Sequence, residues 1–97
     1  MKVSLAAEAE EDLIEGAKYY ASEAAWSLGE AFIAEFERSA RLLTDQPRIG
    51  AIWRGAIRRL PLRRFPYHII YHVGESEVRV LAVAHQSRRP GFWRARA

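Results

Sequence analysis

The sequence has no cysteine, and its second half has no lysine and very little acid. Without a thiol, neither a disulfide framework nor a thiolate metal site can form. Histidine could still bind a metal, but His68 and His72 lie four residues apart in a predicted strand. At roughly 3.3 Å per residue they stand about 13 Å apart, too far to share one ion. We therefore expect no metal and no other cofactor.

Long apolar runs are also missing, so no segment reaches the length that spans a membrane. The first residues, from Met1 to Ala6, lead directly into Glu8 and Glu10, which is not the pattern of a signal peptide. With 49% hydrophobic residues and three tryptophans, the chain has the composition of a folded globule. We expect residues 1–97 to form one cytoplasmic domain with no membrane contact.

The charge is divided unevenly between the two halves of the chain. Residues 1–47 hold 4 Lys/Arg and 10 Asp/Glu, giving 4 − 10 = −6. Residues 48–97 hold 11 Arg and 2 Glu, giving 11 − 2 = +9. Two solvated faces would explain the difference. The exclusive use of arginine instead favours a basic working surface, since the planar guanidinium suits phosphate and carboxylate.

Two amphipathic helices are predicted in the first half. The first runs from Ala6 to Ala24, and the second starts at Ser27, whose N-cap role Glu30 would complete as a capping box. The second ends at Gln46, before Pro47. The apolar stripe of the first helix includes Ala9, Leu13, Ala17 and Tyr20, and that of the second includes Leu28, Phe32, Phe36, Ala40 and Leu43. A short connection makes the pair an antiparallel hairpin that needs a sheet to cover it.

Strands are predicted at both ends of this hairpin. Lys2–Leu5 comes first, residues 48–55 form a loop, and β signals begin again at Ala56. The run Tyr67–Val73 is the apolar centre strand, and Glu77–His85 is the last strand. Strict alternation in the last strand predicts one face with Val78, Val80, Ala82 and Ala84, and another with Arg79, Leu81, Val83 and His85. The fold class is α+β, in the order β-α-α-β-β-β, with the hairpin on a mostly antiparallel sheet of three to four strands.

The residue types in the basic half would suit metal-free RNA cleavage, which needs proton transfer and cations around a phosphate. His85, His68 or His72 would move the proton, and Tyr71 or Trp93 would stack a base. The phosphate would be held by Arg58, Arg63, Arg88 or Arg89. Each of these residues also has an ordinary structural explanation. His68 and His72 would be hydrogen-bonded at the sheet surface, His85 would order the segment after its strand, and the strand aromatics would pack in the core.

Several fragments in a fixed order resemble the RelE/ParE superfamily of bacterial type II toxins. They are Ala9-x-x-Asp12-Leu13, Tyr19-Tyr20, Leu28-Gly29-x-x-Phe32, Gln46-Pro47-x-x-Gly50, Ile57-Arg58, Phe65-Pro66-Tyr67-His68-Ile69-Ile70-Tyr71 and Val83-Ala84-His85-x-x-Arg88-Arg89-Pro90-x-x-Trp93. The last fragment is more similar to the ParE branch, whose members are often called plasmid stabilisation proteins. The lysine-rich loop and terminal His-Tyr pair of the RelE archetype are absent.

The resemblance implies a toxin that a cognate antitoxin binds and silences, and that acts on DNA gyrase if it follows the ParE branch. It implies target binding through Arg58, Arg63, Arg88, Arg89 and Trp93, and antitoxin binding through Leu13, Tyr20, Phe32 and Phe36 on the hairpin. The alternative is a RelE-like endonuclease that cuts mRNA on the ribosome with His85, His68 and Arg88. A third possibility is an inactive relative that serves as an antitoxin partner or co-repressor.

Overall fold

The computed structural model describes residues 1–87 and confirms the α+β fold class. The elements are β1 Lys2–Leu5, α1 Ala7–Glu23, α2 Trp26–Asp45, β2 Ala51–Arg54, β3 Ile57–Pro61, β4 Tyr67–Val73 and β5 Glu77–His85. The two helices form a hairpin on one face of the sheet. Neither helix is long and apolar enough to cross a membrane.

The sheet has five strands in the order β1-β5-β4-β3-β2. The pairs β2–β3, β3–β4 and β4–β5 are antiparallel, whereas β1 pairs with β5 in parallel. The predicted count of three to four strands was therefore too low. The missing strand is β2, in the predicted loop of residues 48–55. It is only four residues long, too short for its periodicity to be visible, and it turns back to β3 through Gly55 at a φ of 56°.

The N-cap of the second helix lies two residues earlier than predicted, and the capping box does not form. The N-cap position is Ala25, in an extended conformation, and no side chain caps the helix. The Ala25 carbonyl accepts hydrogen bonds from the N–H groups of Leu28 (2.9 Å) and Gly29 (3.4 Å), so Ser27 already lies inside the first turn. The predicted end before Pro47 is confirmed, because α2 ends at Asp45.

An aromatic cluster joins the hairpin to the sheet. The ring of Phe32, which is 0% exposed, lies 5.4 Å from Tyr20, 5.2 Å from Phe65 and 4.8 Å from Tyr67, centroid to centroid. Such tilted and edge-to-face pairs add about 0.5–1.5 kcal/mol each beyond area burial. A Cβ on Gly16 would lie 2.6 Å from the Phe32 ring, so any larger residue there would force the ring or the helix to shift.

A β-bulge in β5 overturns the predicted alternation of its side chains. Tyr71 pairs with Val80 and Ile70 with Ala82, which leaves Leu81 as the extra residue. The core under the hairpin contains Val78, Val80 and Val83, while the opposite face of the sheet buries Ile70, Leu81, Ala82 and Ala84. Leu81 keeps its predicted face, and from Ala82 onward the faces are exchanged relative to strict alternation.

Glu35 links α2 to the turn between β3 and β4. Its carboxylate accepts hydrogen bonds from Arg38 Nε (3.0 Å), Arg38 Nη2 (2.9 Å) and the Arg63 backbone N–H (2.7 Å). The residue is 9% exposed, and the hydrogen bonds from Arg38 lower its carboxyl pKa against the opposing effect of burial. In the same turn, Arg64 has a φ of 68°, which is uncommon for a residue other than glycine.

Candidate functional site

The bulge places the two histidines proposed for catalysis on opposite faces of the sheet. His85 pairs with Tyr67 and shares the hairpin face with it, their rings 5.2 Å apart. The His85 Nδ1 atom accepts the Ser87 backbone N–H at 3.0 Å, so the proton of the neutral ring is assigned to Nε2. His68, one residue after Tyr67, faces the other side, where Ile70 lies.

The environment of His68 favours its neutral form. Burial lowers its pKa first, and the nearby Arg59 lowers it further. Its Nδ1 atom is buried and has no hydrogen-bond partner in the part of the chain that the structure describes. A general acid and a general base must both reach the same reacting group. With the sheet between them, His68 and His85 cannot serve one phosphate.

Of the predicted phosphate-binding arginines, the structure describes Arg58 and Arg63, which lie in different elements. The Arg58 Nη1 atom donates to the carbonyls of Arg48 (3.0 Å) and Gly50 (2.8 Å), so this guanidinium holds the loop before β2. Arg63 is exposed in the turn before β4, where its backbone N–H bonds to Glu35. Arg88, Arg89 and Trp93 lie outside the described residues.

Two arginines that the sequence reasoning missed lie on the face opposite the hairpin. Arg59 pairs with Ile70 and stacks its guanidinium 4.8 Å from the Trp53 ring centroid. Arg79 pairs with His72 and donates from Nη1 to Ser4 Oγ at 3.2 Å. Both are exposed. Strand register decides which face of the sheet each arginine occupies. The sequence alone therefore could not show whether Arg58 or Arg59 lies on the face opposite the hairpin.

The residues predicted to bind an antitoxin all face the sheet. Phe32 and Phe36 are 0% and 4% exposed in the core, and Leu13 and Tyr20 are half-buried against it. A partner cannot contact the rings of Phe32 and Phe36 while the hairpin covers the sheet. The apolar stripe was identified correctly, but it is the face that packs the hairpin down.

A different apolar groove runs along the outer side of the hairpin, between α1 and α2. This outer groove has a volume of about 210 Å³. Its lining residues are Ala17, Lys18, Ala21, Trp26, Gly29, Glu30 and Ile33. Trp26 is 75% exposed at its end, an unusual position for a tryptophan. A Cβ on Gly29 would lie 2.7 Å from the Ala17 carbonyl oxygen, so the floor of the groove is two helix backbones in close contact.

On the opposite flank of α1, a second cleft of about 240 Å³ lies against the sheet. It lies where β4 begins and β5 ends. We call it the acidic cleft, and its lining residues are Asp12, Glu15, Gly16, Tyr19, Tyr67, Val83 and His85. The Val83 N–H donates to Asp12 Oδ2 at 3.1 Å, which fixes one of the two carboxylates at the cleft wall.

Comparison with known proteins gives the family. The family described as the ParE toxin of the type II toxin–antitoxin system, parDE, matches residues 3–90. The chain belongs to the ParE toxin family. The ParE-like branch favoured by the closing His-x-x-Arg-Arg-Pro fragment is thereby confirmed, and the protein is a type II toxin of the ParE type.

A solved structure supports the fold. The chain is similar to one from the chromosomal ParDE TA system from P. aeruginosa, with a TM-score of 0.77 and 18% identity. The similarity covers 88% of this chain and 95% of that one. At this identity the likeness shows the fold alone. No curated protein is similar enough to count as a match.

Proposed function

We propose first that this ParE-family toxin acts in the cytoplasm by binding DNA gyrase, without cleaving nucleic acid. We propose second that an antitoxin silences it by docking a helix in the outer groove. The observation that carries the first part is the position of the histidines. Because His68 and His85 lie on opposite faces of the sheet, the proton-transfer pair of a metal-free nuclease is not assembled.

Exposed arginines would form the docking surface for gyrase. Arg59 and Arg79 are exposed on the face of the sheet opposite the hairpin, and Arg63 is exposed in the turn before β4. Stacking on Trp53 orders the Arg59 guanidinium, so less conformational entropy is lost when it binds. Guanidinium groups in this setting suit carboxylates of a protein target or phosphates of the DNA that gyrase holds.

A supercoiling assay with purified gyrase tests the target. The wild-type toxin should block supercoiling, and the double variant Arg59→Gln, Arg63→Gln should require about tenfold more protein, from the loss of about 1.4 kcal/mol. The matched control is Arg41→Gln, which removes an exposed arginine from α2 and should change potency less than about twofold. Unimpeded supercoiling at stoichiometric wild-type toxin would contradict the proposal.

The rival activity has its own assay. If the protein were a RelE-like nuclease, induction would produce rapid, translation-dependent mRNA cleavage, and His85→Ala would abolish it while antitoxin binding persisted. On the gyrase proposal, induction instead causes DNA-damage signalling and loss of supercoiling, and mRNA stays intact. If induction causes mRNA cleavage that His85→Ala abolishes, the gyrase proposal is wrong and the protein is a nuclease.

The outer groove carries the antitoxin proposal. It is apolar, open and lined by small residues, which is the shape that receives large side chains from an amphipathic helix at i, i+3 and i+4 spacing. Ile14, also exposed, lies one turn before Lys18 and extends the apolar path along α1. An exposed tryptophan at one end is the residue type that most often dominates the binding energy of an interface.

Binding of the antitoxin encoded beside this toxin can be measured by titration calorimetry. Trp26→Ala should weaken binding by about 2 kcal/mol or more, roughly thirtyfold, while the unfolding temperature stays unchanged because the side chain is 75% exposed. Ile52→Ala provides the control, since Ile52 is 64% exposed on β2, away from the hairpin. Equal affinities for Trp26→Ala and wild type would remove the groove from the interface.

A further inference from the structure

The acidic cleft lies on the flank of α1 away from the outer groove and has a composition of its own. Asp12, Glu15 and Tyr19 recur at three- and four-residue spacing, so one side of α1 presents two carboxylates and a phenol to the same space. The hydrogen bond from the Val83 N–H to Asp12 holds the first carboxylate in place. Glu15 is exposed and makes no hydrogen bond or ion pair within residues 1–87.

Aromatic rings form the rest of the wall. The Tyr67 and His85 rings meet edge to face, with centroids 5.2 Å apart and planes at 78°. Tyr19 is 56% exposed, and its ring is braced at 5.3 Å against Tyr20. The face of an aromatic ring attracts a cation by about 0.5–2 kcal/mol, with the higher value where water is excluded. The Tyr19 and Tyr67 rings therefore favour the same sign of ligand as the carboxylates, through an independent interaction.

The local potential agrees with this composition. Burial raises the pKa of the Tyr67 phenol first, and the neighbouring Tyr20, Tyr19, Asp12 and Glu15 raise it further. Burial opposes a charge of either sign, but the negative charges of Asp12 and Glu15, which also raise this pKa, attract a positive ligand. The first half of the chain, with a formal charge of 4 − 10 = −6, extends that potential over the helical surface.

We propose that the acidic cleft is a binding site for a guanidinium group carried by an arginine side chain. A guanidinium is planar, so it pairs with carboxylates through two parallel N–H bonds and stacks on rings at the same time, whereas an ammonium offers a compact, strongly hydrated charge. A cleft of about 240 Å³ between carboxylates and rings suits that combination.

Two sources can supply the arginine. Residues 88–97 contain four arginines, and the first stands three residues after His85. The other source is a protein partner such as the antitoxin, and only this second source rests on the proposed function. The cleft as a guanidinium site is independent of gyrase binding, and the test below reads neither toxicity nor supercoiling.

The test is an NMR titration of the full chain with N-acetyl-arginine amide, alongside the neutral citrulline analogue. The arginine probe should saturably shift the Val83 amide and the His85 ring signals, and citrulline should not. Glu15→Gln should weaken the probe's binding about three- to tenfold, the loss of a charge-assisted contact. Glu30→Gln, which removes the same charge at the outer groove, should leave it unchanged.

A fourfold variant distinguishes the chain's own arginines from those of a partner. In this variant, glutamine replaces the four arginines Arg88, Arg89, Arg94 and Arg96. Binding of the probe to the wild-type chain indicates an open cleft and a partner's arginine. Binding only to the fourfold variant indicates that the chain's own arginine fills the cleft. No saturable shift in either protein, or equal shifts from citrulline, overturns the proposal, and the amide spectrum of each variant reports whether it is folded.

Discussion

Replacing Glu35 by alanine should destabilise the protein more than any other single charge removal on the hairpin. Glu35 is 9% exposed, and its carboxylate accepts three hydrogen bonds, two from Arg38 and one from the Arg63 N–H. Truncation removes the acceptor and leaves the Arg63 N–H without it. It also removes the hydrogen bond from this turn to α2, which leaves only apolar packing such as that of Phe65 on Phe32 to hold the two together within residues 1–87.

The expected magnitude follows from the three bonds. Arg38 is 36% exposed, so its pair with Glu35 contributes at most about 1 kcal/mol after solvent screening. A hydrogen bond from a backbone N–H to a charged acceptor contributes about 1.5–3 kcal/mol. Because the turn can relax toward water, we expect a total loss of about 2–3 kcal/mol in the free energy of unfolding.

The loss should depend on pH in a defined direction. Hydrogen bonding from Arg38, followed by that from the Arg63 N–H, lowers the folded-state pKa of Glu35 below its ordinary 4.5. The unfolded state therefore binds a proton more readily than the folded state. The stabilisation is complete above pH 4.5 and is lost as the pH falls through the folded-state pKa. Wild type and Glu35→Ala should converge in stability below that range.

Urea denaturation at neutral pH and at about pH 3 measures both effects, with the linear dependence on urea giving each free energy. Glu37→Ala is the matched control, because Glu37 lies on the exposed side of the same helix and should cost less than about 0.5 kcal/mol. Equal losses for Glu35→Ala and Glu37→Ala at neutral pH would refute the role of the buried carboxylate. A loss that is the same at both pH values would refute its ionised form as the acceptor.

Three further changes test the core and the sheet. Gly16→Ala places a Cβ 2.6 Å from the buried Phe32 ring, so thermal unfolding should show a net loss of about 1–2 kcal/mol despite alanine's helix propensity. Tyr71→Phe removes the hydroxyl that accepts a buried backbone N–H at 2.9 Å, which should cost about 1–3 kcal/mol in urea denaturation. By NMR, the pKa of His68 should lie below 6.5, and Arg59→Gln should raise that pKa. The free energy of unfolding should fall as the pH drops through it. A His68 midpoint at or above 6.5 would contradict its burial.

Periodicity was enough to predict most elements of the fold. The strands Tyr67–Val73 and Glu77–His85 have the predicted bounds, and α2 ends before Pro47, since the residue before a proline avoids the helical conformation. These features depend on neighbouring residues, so the chain carries them locally. The short edge strand β2 was missed because four residues carry too little pattern.

Which side of an element becomes a surface depended on contacts distant in sequence. The stripe with Phe32 and Phe36 has the apolar spacing of a binding face, but the sheet covers it, and the accessible apolar surface lies instead around Trp26. Periodicity identifies residues that share a side of a helix. It does not specify which side another element will cover.

The sequence by itself determined the α+β order of elements, the charge division and the family resemblance, because each depends on local pattern or on the order and spacing of fragments along one chain. Only the tertiary structure decided the placement of the histidines. One extra residue, Leu81, is accommodated as a bulge against β4, and it turns His85 toward the hairpin and away from the face of His68. A bulge is set by how two strands pair, so alternation within β5 alone could not show it.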